Sequence, residues 1–321
     1  MSSPGSSAGS LASGPGYEAL TSGVAMWVDP DRVLLRVEGT RAAAVLNGLL
    51  SADVLALQPG GSTLSFVLTP KGRPVAVPVV VRADDSILLD VSRAALPGLF
   101  DHFGTYLPPR FASVTLLEDG RRVSLLGPDA AGVMAQLELP TGVLRVERPP
   151  ECGGGTDLYL PDGRSDGKIE AAVRAAGGWK ASPDDHEIWR IERGIPRFGL
   201  DITAEHLPQE TGLVPLAVSF DKGCYTGQEV VARIQYRGHV NRHLRGIRPA
   251  RPYAGPPVPS GTELTKEGRV VGATTSWCAS PRFGPIGLGY VRRELTAGAP
   301  VEVAADDPFP CIVNDLPFTP T

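Results

Sequence analysis

Apolar residues first gather at Met26-Trp27-Val28 and Val33-Leu34-Leu35-Val37, in runs short enough to be strands, with Gly39 ending the second. Thr40 then reads as the cap of a helix in which Ala43, Val45, Leu46, Leu49 and Leu50 build one apolar face. Leu64–Leu68 and Val75–Val81 read as two paired strands around the turn Thr69-Pro70-Lys71-Gly72. Ile87–Val91 adds another strand, and Ser92 leads into a helix near Leu96–Tyr106. From Phe111 to Lys180 the pattern repeats more loosely. Strands are expected at Ala112–Leu116, Val123–Leu126, Leu144–Glu147 and Asp157–Leu160, with helices after Pro128 and over Lys168–Ala176. A charged helix, Pro183 to Arg193, stops at Gly194.

Beyond Leu244 the texture changes. Short apolar segments near 261–264, 269–275 and 287–291 alternate with Gly and Pro turns at the spacing of a small barrel or sandwich. The fold class is therefore α+β, with two lobes over 17–240 and a β-barrel domain over 241–321; the change falls near Gly238–Arg245. Residues 1–16 are Ser, Gly, Ala and Pro with little to bury, so they read as a disordered tail, and order is expected to begin near Ala25.

Composition narrows the function classes. The chain has 321 residues and a net charge of -4, which argues against a strongly basic, whole-chain nucleic-acid binder. Its longest apolar run, Val75 to Val81, contains Pro78 and is far short of the ~20 residues that span a bilayer. The N-terminus carries neither the charge nor the apolar core of a signal peptide. Cys152, Cys224, Cys278 and Cys311 form no C-x-x-C pair, so the expectation is a cytoplasmic chain with reduced thiols. His239 and His243 have the spacing of two ligands on a helix, but no second pair lies nearby and no metal site is expected. No phosphate-binding G-x-x-x-x-G-K-[ST] occurs.

The densest chemistry lies in Phe220-Asp221-Lys222-Gly223-Cys224-Tyr225-Thr226-Gly227-Gln228-Glu229. Thr226 and Glu229 have the spacing of a capping box, with Tyr225 and Val230 as its hydrophobic staple, ahead of a helix ending at Gly238. This places Cys224 just before a helix N-terminus, where the macrodipole favours a thiolate, with Lys222 as an added cation. The plainer alternative is a small buried cysteine.

Lys222 to Glu229 resembles the K-G-C-[FY]-x-G-Q-E motif of the YgfZ family at every specified position. Val37-Glu38-Gly39 through Val54 resembles the opening strand, helix and turn of the larger superfamily. Arg190-Ile191-Glu192-Arg193-Gly194-Ile195-Pro196 and Pro208-Gln209-Glu210-Thr211-Gly212-Leu213 are similar to stretches shared with the glycine-cleavage aminomethyltransferases. The resemblance implies a three-lobed ring around a channel that binds tetrahydrofolate or a one-carbon derivative, with the motif cysteine facing the channel. It implies an accessory factor for assembly or repair of iron–sulfur proteins, with iron–sulfur client enzymes as partners and any effect on tRNA modification indirect. No membrane or direct nucleic-acid partner is implied, and a monomer is expected. Cys224 and Lys222 are the candidate reactive pair, and Glu192, Glu210, Tyr225, Gln228, Arg233 and Asp53 the candidate folate contacts. Glu192 and Glu210 suit the N–H donors of a pterin edge, and Arg233 with Arg237 an anionic tail.

The alternative is a folate-dependent one-carbon transferase or demethylase, and whether the chain is an enzyme stays open. The stretch matching the aminomethyltransferases' catalytic Asp is Gly72-Arg73-Pro74-Val75-Ala76-Val77-Pro78, which has no carboxylate. Cys152 to Asp157 lacks the Glu of their Gly-rich segment. Trp27, Trp179, Trp189 and Trp277 are expected in the core or the channel walls.

Overall fold

The computed structural model describes residues 14–163 and 166–320. In chain order the first elements are α1 (Pro15–Ser22), β1 (Ala25–Val28), β2 (Arg32–Glu38), α2 (Ala42–Leu49), β3 (Ser62–Leu64), β4 (Val67–Leu68), β5 (Pro74–Ala76), β6 (Val79–Arg82), β7 (Ile87–Ser92) and α3 (Leu96–Tyr106). Next come β8 (Ser113–Leu117), β9 (Arg121–Leu126), α4 (Ala130–Gln136), β10 (Leu144–Glu147), β11 (Thr156–Leu160), α5 (Asp166–Ala175), β12 (Trp179–Lys180), α6 (Pro183–Glu192), α7 (Val214–Ala217) and α8 (Gln228–Arg237). The barrel strands are β13 (Arg242–Pro249), β14 (Glu263–Lys266), β15 (Arg269–Ser280), β16 (Gly284–Arg292), β17 (Pro300–Val303) and β18 (Phe309–Asn314).

The first lobe is an antiparallel sheet in the order β3-β6-β7-β2-β8. Leu35, Leu89 and Val91 of this sheet bury against Leu46 and Leu49 of α2 and Leu99 and Phe103 of α3. The second lobe has the order β10-β11-β9-β1-β12 and packs Leu125 and Leu158 against α4 and α5. Its β1 comes from the start of the chain and pairs antiparallel with β9 and parallel with β12, so the two lobes are interwoven. Leu34, Val81 and Leu88 of one sheet meet Val146 and Tyr159 of the other. The barrel closes in the order β13-β16-β15-β14-β17-β18, which leaves no free sheet edge. The architecture is α+β with a C-terminal six-stranded barrel.

Four local expectations are corrected. Residues 1–13 of the expected tail lie outside the described residues, but Pro15 and Gly16 belong to α1, and order starts well before Ala25. Tyr17 and Leu20 of α1 are buried, which a Ser/Gly/Pro average conceals. Thr40 does not cap α2; Arg41 holds the cap position without a side-chain hydrogen bond. The two strands expected around Thr69–Gly72 are each broken in two. Pro78 lacks the N–H needed to continue a ladder, and the Ser51 hydroxyl accepts from Phe66 N (2.8 Å) instead of a neighbouring strand. The β4–β5 ribbon consequently leaves the sheet and meets the motif loop.

The fourth correction lies in that loop. Gly227 caps α8 with φ 84°, and no capping box forms between Thr226 and Glu229. A Cβ on Gly227 would lie 2.6 Å from the Thr69 carbonyl oxygen, so the loop approaches the ribbon at a distance only glycine allows. Thr226 N donates to Gly48 O (3.1 Å), and Gln228 Oε1 accepts from Tyr225 N (3.0 Å).

Candidate functional site

The two lobes, α6 and the barrel enclose a cavity of about 870 Å³, within the range of small-molecule sites. Val77 and Val79 supply wall from the first lobe, Arg148 to Gly154 from the second, Trp189, Arg190, Glu192 and Arg193 from α6 and its C-cap, and Arg282, Phe283 and Phe318 from the barrel. Gly153 fits beneath the Trp189 ring at φ 93°, where a Cβ would lie 2.2 Å from the indole. Trp189 is fully buried, and His186 stands between it and Trp27, stacked on the latter at 4.4 Å. Burial holds the His186 imidazole well below its ordinary value, and the surrounding arginines add to the effect.

Glu192, at the end of α6, lines this cavity and is 2% exposed. The capping box that starts α6, Ser182 with Asp185, fixes the helix at its other end. Glu192 Oε1 accepts from Tyr17 Oη (2.7 Å) and Ser280 Oγ (2.5 Å), while Oε2 has no partner among the described residues. A buried carboxylate oxygen without a donor is costly, and such atoms concentrate where a ligand supplies the missing bond. Of the nine buried side-chain atoms without partners among the described residues, five belong to residues lining the cavity: Arg148, His186, Trp189, Glu192 and Arg245. Arg190, 2% exposed, ties the helix to the rest of the wall. It donates to Asp201 Oδ2 (2.8 Å), Ser276 Oγ (2.7 Å) and Glu187.

A chain of buried charges crosses from lobe to lobe along the cavity. Arg32 donates to Asp90 Oδ1 (2.6 Å), Arg122 to Asp90 Oδ2 (2.6 Å), and Arg148 to both oxygens of Asp157 (3.1 Å). Burial alone would raise the Asp157 carboxyl; Arg148, Arg122 and the Ser124 hydroxyl outweigh it and hold the group below the ordinary carboxylate value.

The sequence-predicted residues separate into two places. Among them only Glu192 lines the cavity. Cys224 is exposed and is not sealed in the core, but it is not among the cavity-lining residues, so the channel-facing placement is not met. Lys222 does not point its ammonium at a thiolate. Its Nζ donates to the carbonyls of Asn47 (2.5 Å), Leu50 (2.7 Å) and Ala52 (2.7 Å) and lies over the Tyr225 ring. It thereby satisfies carbonyls at and just beyond the C-terminal end of α2, the end that attracts cations. Burial pushes this ammonium down to about 8, with Asp53 pulling the other way, so it is protonated at neutral pH.

Tyr225 is buried in the cluster of Phe66, Leu68, Val77 and Ile202, and burial pushes its phenol up to about 12. Gln228 is spent on the loop backbone. Asp53 accepts from Leu55 N and Ala56 N, the bracing of a turn. Glu210 is committed to Leu207 N (2.8 Å) and Arg242 Nε (3.0 Å), and Arg233 is exposed on α8; neither lines the cavity. Trp179 is half exposed, against the expectation that every Trp would be enclosed. Sequence reasoning missed Tyr17 and Ser280, which lie 175 and 88 residues from the acid they orient. No local signal marks either.

Lys222→Met is therefore expected to destabilise the protein by about 2–3 kcal/mol, because buried carbonyls lose a charged donor. Cys224→Ala, at an exposed loop position, is expected to stay within about 0.5 kcal/mol of wild type. Paired denaturant melts of the two variants check both expectations.

Comparisons agree with this architecture. Residues 242–319 match the glycine cleavage T-protein C-terminal barrel domain. A tRNA-modifying protein YgfZ of Aliivibrio fischeri (strain ATCC 700601 / ES114) is 39% identical over 254 residues, covering 76% of this chain and 78% of that protein. The mitochondrial aminomethyltransferase of Gallus gallus is 27% identical over 320 residues, covering 89% and 79%. The crystal structure of the glycine cleavage system aminomethyltransferase T from Bartonella henselae superposes with a TM-score of 0.83 over 94% of this chain and 88% of that one, at 22% identity, and so shares the fold. Barrel, interwoven lobes and relatives together place the chain in the glycine-cleavage T-protein superfamily, to which both the aminomethyltransferases and the YgfZ proteins belong.

Proposed function

We propose that the chain binds tetrahydrofolate, or a one-carbon derivative of it, in the cavity beside Glu192, and serves as a YgfZ-type accessory factor for iron–sulfur proteins. The observation that carries the folate reading is the Glu192 carboxylate, held through one oxygen by Tyr17 and Ser280 while the other has no partner among the described residues. A pterin presents adjacent N–H donors on one edge, the complement of such a carboxylate. The cavity is large enough for the ring and its benzoyl extension, and its apolar wall includes Val77, Val79, Leu213 and Phe283. Bound folate would supply a carrier for a one-carbon unit; the protein would orient and shield it.

The accessory role is favoured over aminomethyl transfer by two features. The segment that would carry the transferase acid is Pro74 to Pro78, whose Val77 lines the cavity and whose Ala76 is buried in the first-lobe core. Charge stabilisation of a cationic one-carbon intermediate from that segment is therefore lacking. The motif loop, by contrast, keeps every specified position and offers the Cys224 thiol on the surface, where a client protein can reach it. In this reading Lys222 holds the loop that presents the thiol, the clients are iron–sulfur enzymes, and the effect named in the Aliivibrio relative passes through tRNA-modifying enzymes of that type.

Calorimetry with tetrahydrofolate, paired with recovery of an iron–sulfur enzyme's activity in cells lacking the protein, tests the proposal. Cys224→Ala is expected to bind tetrahydrofolate within about twofold of wild type and to fail in recovery. Turnover of methylenetetrahydrofolate with an amine, undiminished in Cys224→Ala, would replace this reading with the transferase.

A further inference from the structure

A second recess lies between the C-terminal half of α8 and the barrel. It holds about 600 Å³ and is lined by Gln209, Ile234, Gln235, His239, His243 and Arg293, with Val240 and Glu294 completing the wall. His239 and His243 share this wall although no helix joins them: α8 stops at Arg237, and His243 belongs to β13. Among the described residues no group of three or more His, Cys, Asp or Glu side chains is placed to hold a metal ion, so the pair falls short of a metal centre.

Two features of the recess lack their complements. Gln209 Nε2 donates to Val231 O (2.9 Å), which fixes the direction of the amide; its Oε1 is buried and has no donor among the described residues. Arg293 in the wall, and Arg237 three residues after Ile234 on α8, are exposed and have no carboxylate partner among the described residues. Glu294 lies 3.8 Å from Arg292, so the charge left over at the recess is positive. Burial holds the His243 imidazole below its ordinary value, with Arg245 adding to the effect and Glu210 opposing it, so the ring is neutral near pH 7.

We propose that this recess docks an acidic segment of a partner protein, whose carboxylates meet Arg237 and Arg293 and whose backbone N–H meets Gln209 Oε1. The recess stands on its own residues; that its partner is an iron–sulfur client rests on the accessory-factor reading above.

A polypeptide supplies both missing groups at once, and planar guanidinium forks match carboxylates. A sugar–phosphate strand brings anions but no backbone N–H, and two free guanidinium groups beside Glu294 are few for a polyanion. Residues 1–13 contain neither Asp nor Glu, so that segment of the chain does not supply the acid. The ten residues of α8 span about 15 Å, with the exposed Cys224 ahead of one end and the recess at the other. A standard protein interface covers about 800 Å² on each partner, enough to take in both. A client seated in the recess thus also covers the loop that presents the thiol.

The test is titration calorimetry on the full chain at low salt with three probes: a capped glutamate–glycine peptide, inorganic phosphate and single-stranded oligouridylate. The peptide is expected to bind at least about tenfold more tightly than either other probe, and more weakly as salt rises. Its backbone N-methylated form, which keeps the carboxylates without the N–H groups, is expected to lose about three- to tenfold. Arg237→Gln/Arg293→Gln is expected to lose about five- to twentyfold in peptide affinity, with tetrahydrofolate affinity within about twofold of wild type and an unchanged thermal melt. Phosphate or oligouridylate binding as tightly as the peptide, or peptide binding that survives the double variant, would overturn the docking site. In cells the double variant is expected to cut recovery of the iron–sulfur enzyme by about threefold or more; full recovery would overturn the client as its occupant. Cys224→Ala keeps the two readings apart. Full recovery by Cys224→Ala with peptide binding intact would overturn the accessory role and leave the recess standing. Cys224-dependent recovery without peptide binding in wild type would overturn the recess alone.

Discussion

Glu192→Gln is expected to weaken tetrahydrofolate binding by about ten- to a hundredfold while leaving the unliganded protein as stable as wild type, or more so. Hydrogen bonds to a carboxylate are worth about 1.5–3 kcal/mol, and every 1.4 kcal/mol is a factor of ten in affinity. The amide keeps an oxygen for Tyr17 and Ser280, whose hydroxyls converge on Oε1 at 2.7 and 2.5 Å. The amide replaces a buried carboxylate oxygen that lacks a donor with a group less costly to desolvate. A purely structural role predicts the reverse, lower stability with binding lost only through unfolding. Calorimetry and a thermal melt on the same sample separate the two: unchanged affinity in a well-folded variant would remove Glu192 from the site.

The second large effect concerns the buried charges between the lobes. Asp90 is wholly buried and answers both Arg32 and Arg122. Asp90→Ala leaves two arginines facing one another across the inter-lobe wall, a situation that costs about 3–5 kcal/mol. At about 2–4 °C per kcal/mol, the melting temperature should fall by roughly 6–20 °C. Arg145→Ala, which breaks the exposed pair with Glu147, is expected to change stability by no more than about 1 kcal/mol. The same charge chain sets the acid limit of the fold. Asp157 is held below the ordinary carboxylate value, so its contribution is present above about pH 4 and is lost as pH falls through the depressed folded value. Melts across pH 2–7 should show that loss for wild type and a smaller one for Asp157→Asn.

The elements that were legible in the sequence are those whose apolar period is uninterrupted. Ile87–Ser92 and Arg32–Glu38 are strands because they are buried through most of their length. Glu192 was legible through its place in Arg190-x-Glu192, and the eight-residue motif through its composition. The motif's hydrogen bonds were not legible. Whether Thr226 or Gly227 caps α8 depends on the Thr69 carbonyl, more than 150 positions earlier in the chain. Lys222 beside Cys224 in sequence suggested a cation for a thiolate, but its three acceptors lie at positions 47–52. Arg233 and Arg237 look like tail ligands because they are cationic and near the motif. Among the described residues, the cavity-lining arginines without a carboxylate partner are Arg193, at the end of α6, and Arg282, in the barrel.

The contact between Tyr17 and Glu192 ties the orientation of the cavity's buried acid to the first of the described helices. A product initiated at the internal codon for Met26 would still encode both lobes and the barrel, yet it would lack the phenol that orients the acid and the Leu20 side chain packed beside Trp27 and Trp189. Start-site choice on the transcript would then decide whether the buried acid keeps its phenol donor.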